Sequence, residues 1–152
     1  DTRIKKLNEG SYDAIVLAYA GIKYLKKENE IAEIFSTKDV IPSAGQGIIA
    51  LQSRKDDDEI ISILNKVNHK ETFLRANAER SVLKILEGDC ETAVGAYAFI
   101  EKDKVILEAE LFSLDGKQRF YEKKSSELNN AEELGEQVGR LLKLKSKNLY
   151  KK

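Results

Sequence analysis

The sequence predicts an α/β fragment followed by a small α+β domain, whose three-stranded antiparallel sheet carries helices on one face. Three observations lead there. Residues 13–18 and 48–51 are runs apolar on both faces, as strands buried between two layers of a parallel sheet are. Val105, Leu107, Ala109 and Leu111 alternate with Ile106, Glu108, Glu110 and Phe112, the period of a half-buried strand, and Asp115-Gly116 then signals a hairpin. Helical patterns over 72–86 and 131–142 flank that hairpin, and an antiparallel sheet with a helix on either side in sequence reads as α+β.

In chain order, residues 1–10 read as the end of a helix, with Arg3, Lys5 and Lys6 near its carbonyl end and Gly10 as the stop. The run 13–18 follows as a buried strand. Gly21 opens a short helix through Lys27, and a second one covers 29–35. A strand apolar on both faces needs neighbours on both edges, and the first forty residues supply none. The missing half of that sheet is therefore expected in sequence outside this chain. Pro42, the single proline, restrains a connection, and Gly45-Gln46-Gly47 leads into a second buried strand at 48–51. Asp56, Asp57 and Asp58 fall in the first turn of an amphipathic helix marked by Ile60, Ile61, Leu64 and Val67, where negative charge favours the helix dipole. Asn68 and Glu71 have the form of a capping box for helix 72–86. That helix is expected to bury Phe73, Ala76, Leu83 and Leu86, with Glu71, Arg75, Glu79, Arg80 and Lys84 on faces open to solvent or a partner, and Gly88 ends it. Strand 93–101, a polar turn at Lys102-Asp103, the alternating strand, and a charged edge strand over 118–124 make the meander. Ala131, Leu134, Val138, Leu141 and Leu142 form the apolar stripe of the last helix.

Composition narrows function by exclusion. The 152 residues carry 26 basic and 26 acidic side chains, a formal net charge of zero, which argues against a nucleic-acid or anionic-membrane binder. Hydrophobic residues make up 41%, enough for a core. The apolar runs are far too short to span a bilayer, and no leader for export opens the chain. One cysteine cannot form an internal disulfide, which fits a reducing compartment and a cytoplasmic location. The chain starts at Asp1 and holds no methionine, so a piece of a longer polypeptide is expected.

Few residues carry candidate chemistry. Cys90 lies past a helix C-terminus between Asp89 and Glu91; the dipole and both carboxylates disfavour a thiolate. That is the wrong setting for a protease-type nucleophile, leaving a one-time covalent attachment point or an idle small residue. One His and one Cys cannot fill a zinc site, and Asp56-Asp57-Asp58 lacks the glycine turn of a calcium loop, so no metal is expected. His69 reads as a helix-start residue rather than a base. Gly45-Gln46-Gly47 could bring backbone N–H groups close to a ligand or be a plain tight turn. Arg3 could fork a carboxylate or simply close a helix.

The strings IPSAGQGIIALQSR (41–54), NHKETFLRANAER (68–80), LEGDC (86–90) and VGAY (94–97), preceded by YDAIVLA (12–18) and AGIK (20–23), resemble porphobilinogen deaminases (hydroxymethylbilane synthases) in order and spacing. The resemblance covers nearly the whole chain. It implies a C-terminal half: residues 1–41 the end of a periplasmic-binding-protein-like α/β domain two, 42–67 a segment crossing back to domain one, and 68–152 the whole of domain three, the α+β cofactor-carrying domain.

The implied activity is a transferase reaction of tetrapyrrole and heme biosynthesis: head-to-tail condensation of four porphobilinogen molecules to hydroxymethylbilane, with release of ammonia. Cys90 aligns with the cysteine that holds the dipyrromethane cofactor as a thioether, a tether that does not need a standing thiolate. Arg3 aligns with one of the arginines that bind pyrrole carboxylates, and Gln46 and Gly47 with a cleft-lining turn. The partners implied are porphobilinogen, the growing pyrrole chain and the N-terminal half of the same enzyme, a monomer when complete. No catalytic residue falls in this portion, because the acid/base aspartate belongs to the other half; alone the chain is expected not to turn over. Tyr24 stands where the family has another arginine. Asp89, Glu91 and Ala93 depart from the usual cysteine loop, which has a second glycine before the cysteine and a proline three residues after it. The alternative is a catalytically silent binding or interaction module derived from that family.

Overall fold

The computed structural model describes residues 2–87 and 92–151, which fall into two compact units, residues 1–36 and 37–152. The first unit holds helix α1 (Thr2–Asn8), which buries Ile4, helix α2 (Tyr19–Tyr24) and a 3-10 turn over Glu28–Glu30. Gly10, at φ +77°, stops the chain after α1 as expected. Two expectations fail here. Residues 13–18 form no strand, and Val16 is 74% exposed. The second helix expected over 29–35 shrinks to the 3-10 turn. A strand is stabilised by ladder partners rather than by its own sequence, and among the described residues this run has none.

The second unit opens with residues 37–57, which contain turns but neither helix nor strand. The strand expected over 48–51 is likewise absent, with Ile49 88% exposed. Helix α3 (Asp58–Val67) follows, capped by Asp57, whose carboxylate accepts from the Ile60 amide at 3.2 Å. Helix α4 (Lys70–Leu86) is capped by His69, not by Asn68: the His69 Nδ1 accepts from the Thr72 amide at 3.3 Å. Asn68 is spent on closing α3, in extended conformation.

The meander forms as expected. Strands β1 (Val94–Glu101), β2 (Lys104–Phe112) and β3 (Arg119–Glu127) make one antiparallel sheet in the order β1-β2-β3. Glu101 pairs with Lys104, so Lys102-Asp103 is a two-residue turn, and both residues have positive φ, 49° and 62°. That is the type I′ geometry that matches strand twist. At the other hairpin Gly116 takes φ +69°, and its amide donates to Ser113 O at 2.8 Å.

Helix α5 (Ala131–Ser146) lies with α4 on one face of the sheet. The core joins Ala96 and Ala98 of β1, Val105, Leu107, Ala109 and Leu111 of β2, Ala131, Leu134, Val138 and Leu142 of α5, and Tyr150. The stripe that α4 contributes is Ala78, Val82 and Leu86, with Leu74 packed beside it. These residues repeat every four positions, so Phe73 falls off the stripe and is 55% exposed, while Ala76 and Leu83 are half-buried. Gly135 and Gly139 let the two helices touch: a Cβ at Gly135 would fall inside the Ala78 carbonyl oxygen, and one at Gly139 would lie 2.8 Å from the Ile85 Cβ. The Tyr150 hydroxyl donates to Leu86 O at 3.0 Å, satisfying a carbonyl left open at the end of α4.

Candidate functional site

The turn at 43–48 is built from its glycines. The Gln46 amide donates to Ser43 O at 3.0 Å and the Ile48 amide to Gly45 O at 3.1 Å, giving two successive turns. Gly45 and Gly47 stand at the third position of each, both at φ +77°, which a residue with a side chain adopts only under strain. Gln46 and Gly47 are exposed at the tip; Ala44 packs against the core at the base.

This turn is clasped to the free edge of β1. The Ala96 amide donates to Pro42 O at 2.9 Å, and Gly95 allows the approach, since a Cβ there would lie 2.7 Å from Ile41 O. Ile41 is buried. One residue pair completes the edge. The Glu79 carboxylate accepts from the Ala98 amide at 2.8 Å through Oε1 and from the Gly45 amide at 2.7 Å through Oε2. Arg75 Nε donates to Ala98 O at 2.6 Å, with its guanidinium over the Tyr97 ring. Glu79 is only 3% exposed, and burial pushes its carboxyl above the ordinary value, while the two amides and the nearby Arg75 charge pull it back. The expectation that Arg75 and Glu79 lie on open faces is therefore overturned. The signal was present: Glu79 sits three residues before Val82 and seven before Leu86, on the helix side that faces the sheet.

Arg3, in the first unit, is exposed on α1. It lines a groove of about 580 Å³ with Thr2, Lys6, Tyr12, Ala14, Ile15 and Val16. A second hollow of about 420 Å³, shared with Ile4, Leu17, Ala18, Gly21, Ile22 and Leu25, lies against the same arginine. Tyr24 is 87% exposed at the end of α2. Arg3 thus belongs to one unit, and Gln46 and Gly47 to the other.

Cys90, with Gly88, Asp89 and Glu91, lies outside the described residues. Glu87 closes α4 in the left-handed conformation at φ 53°, and its Oε2 accepts from Lys143 Nζ at 3.1 Å and Lys151 Nζ at 3.4 Å, both lysines holding its carboxyl below the ordinary value. Cys90 is the chain's single thiol. Among the described residues no three His, Cys, Asp or Glu side chains form a metal-ligand group, and no helix is long and apolar enough to cross a membrane.

Fold and site together define the class: an α+β domain with a glycine turn clasped to its sheet edge, joined to a segment whose apolar runs are left uncovered. Comparison with known proteins gives the particular family. The model described as "Porphobilinogen deaminase, dipyromethane cofactor binding domain" matches residues 1–62, and that described as "Porphobilinogen deaminase, C-terminal domain" matches residues 73–144. Among curated relatives named porphobilinogen deaminase, that of Buchnera aphidicola is 37% identical over 150 residues, covering 98% of this chain and 48% of the relative. That of Desulforamulus reducens is 39% identical over 142 residues, 93% of this chain and 46% of the relative. That of Coxiella burnetii is 42% identical over 132 residues, 87% of this chain and 42% of the relative. The chain belongs to the porphobilinogen deaminase family, and spans about half the length of the curated relatives it matches.

Proposed function

We propose that this chain is the C-terminal portion of a hydroxymethylbilane synthase, the transferase of tetrapyrrole and heme biosynthesis that condenses four porphobilinogen molecules head to tail and releases ammonia at each step. The observation that carries this reading is the match of both family models, in order, across residues 1–62 and 73–144. Residues 1–41, 42–67 and 68–152 correspond in it to the end of domain two, the return to domain one and domain three. Cys90 holds the dipyrromethane cofactor through a thioether, which anchors one end of the growing chain while new bonds form at the other. Arg3 binds pyrrole carboxylates as a planar fork, and Gln46 with Gly47 lines the cleft. The acid/base aspartate comes from the N-terminal half, with which this portion forms a monomeric enzyme. The uncovered apolar residues support that dependence: Val16, Ile49 and Leu51 are 74%, 88% and 61% exposed in runs whose sequence suits burial.

The test is co-production of this chain with the N-terminal half of a relative in cells that make porphobilinogen. Intact mass is expected to show an adduct of two pyrrole units on Cys90, and the assembled pair to consume porphobilinogen. Cys90→Ser is expected to remove both adduct and turnover. An assembled pair with a bare thiol and no turnover would favour the silent module; turnover undiminished by Cys90→Ser would sink the assignment.

A further inference from the structure

We infer that Glu79 is the positioning residue for the Gly45-Gln46-Gly47 turn: its two carboxylate oxygens bridge the Gly45 amide and the Ala98 amide at the β1 edge, so one buried charge fixes where Gln46 is presented. The inference deepens the proposed function and rests on it for the role of Gln46, while the bridge itself stands on geometry alone.

Four observations build it. The turn's internal bonds, Gln46 to Ser43 and Ile48 to Gly45, shape the loop but do not attach it to anything. Beside the packing of Ala44 at its base, the described residues attach it through two hydrogen bonds: the Pro42 carbonyl on the Ala96 amide, before the turn, and Glu79 on the Gly45 amide, within it. Only the second reaches the residue adjacent to Gln46. The carboxylate is held in turn, because its other oxygen is bonded to Ala98, and the Ala98 carbonyl is taken by Arg75. A side chain bonded at both oxygens and 3% exposed has lost its rotamer freedom, so it transmits the position of the sheet edge to the turn.

A bond from a backbone amide to a charged acceptor contributes about 1.5–3 kcal/mol, so losing it should loosen the turn by roughly tenfold or more. Glutamine keeps the shape of Glu79 but offers one acceptor oxygen where two amides need one each. Glu79→Gln therefore leaves one amide facing an NH2 group.

The experiment is residue-resolved amide exchange on the 152-residue chain. In the unsubstituted protein the Gly45 and Ala98 amides are expected to be protected. In Glu79→Gln, protection of Gly45 or of Ala98, whichever amide meets the NH2 group, is expected to fall about tenfold or more while the Leu107 amide of the central strand keeps its own. Gly45 exchanging at the unstructured rate in the unsubstituted chain overturns the inference, as does unchanged protection of both Gly45 and Ala98 in a folded Glu79→Gln. If that variant does not fold, the unsubstituted measurement decides alone. In the assembled pair with an N-terminal half, Glu79→Gln is expected to raise the KM for porphobilinogen about tenfold with kcat within about twofold and the Cys90 adduct intact, and Glu79→Asp to restore part of the loss. A fall in kcat with KM unchanged contradicts the positioning role. Absence of the Cys90 adduct in the unsubstituted pair instead removes the proposed function and leaves the amide result standing.

Discussion

Two glutamates show how environment sets the sign of a charge's contribution. Glu108, on β2, accepts from Lys123 Nζ at 2.6 Å and from the Tyr121 hydroxyl at 3.1 Å, and the lysine's hydrogen bond holds its carboxyl below the ordinary value. A carboxylate lowered in this way stabilises the fold above its unfolded value, about 4.3, and that stabilisation is lost as the pH falls through the folded value. Glu108→Gln is therefore expected to be less stable than the unsubstituted chain at neutral pH, with the gap closing as the pH falls below about 4. Urea midpoints across the acid range check this; a gap independent of pH would refute it. Glu79 has the opposite sign, since burial raises its carboxyl: the cost of its charge is absent at low pH and enters as the pH rises through the folded value. Neither role was legible in sequence in the same way. Glu108 was placed correctly on the polar side of an alternating strand, which local period alone determines. Glu79 shares the sheet-facing side of α4 with Val82 and Leu86, which its spacing shows, but the partners of its two acceptor oxygens, Ala98 and Gly45, come from segments that local period does not bring to it.

Turns and helix contacts carry the predictions at the scale of elements. Lys102 and Asp103 form the β1–β2 turn with φ values that side chains adopt at a cost. Replacing the pair by Asn-Gly, the preferred type I′ dipeptide, is expected to stabilise the domain by about 1 kcal/mol, read as a higher thermal or urea midpoint. A lower midpoint would show that the two side chains contribute more than the turn geometry costs. In the opposite direction, Gly135→Ala drives a methyl into the Ala78 carbonyl and is expected to cost about 1–3 kcal/mol, measured by the same midpoints. The meander and α5 were legible because their patterns are local: period two over 105–112, the Asp115-Gly116 turn, and the apolar stripe from Ala131 to Leu142. The strands expected at 13–18 and 48–51 were not realised, because a ladder is a property of two segments. Sequence pattern can report that a run wants neighbours without supplying them.

For the whole molecule, the contrast lies between residues 70–87 and 92–150, which share one closed core, and the two uncovered runs. Ile49 is 88% exposed, so Ile49→Asp is expected to change the stability of this chain by no more than about 0.5 kcal/mol. The same substitution is expected to weaken assembly with an N-terminal half, read by co-purification; undiminished assembly would show that the run is not a contact. The sheet itself has two edges guarded by different means. Strand β3 presents Arg119, Glu122, Lys123, Lys124 and Glu127, whereas on β1 the Ala96 and Ala98 amides are occupied by Pro42 and Glu79. Cutting the protein between residues 47 and 70 and discarding the leading piece would strip Pro42 from the Ala96 amide and leave Glu79 without the Gly45 amide. What remained would be a template with a vacant Ala96 amide, prone to strand-to-strand self-association that grows with concentration, so any excised form of this domain must begin upstream of Ile41 to stay monodisperse.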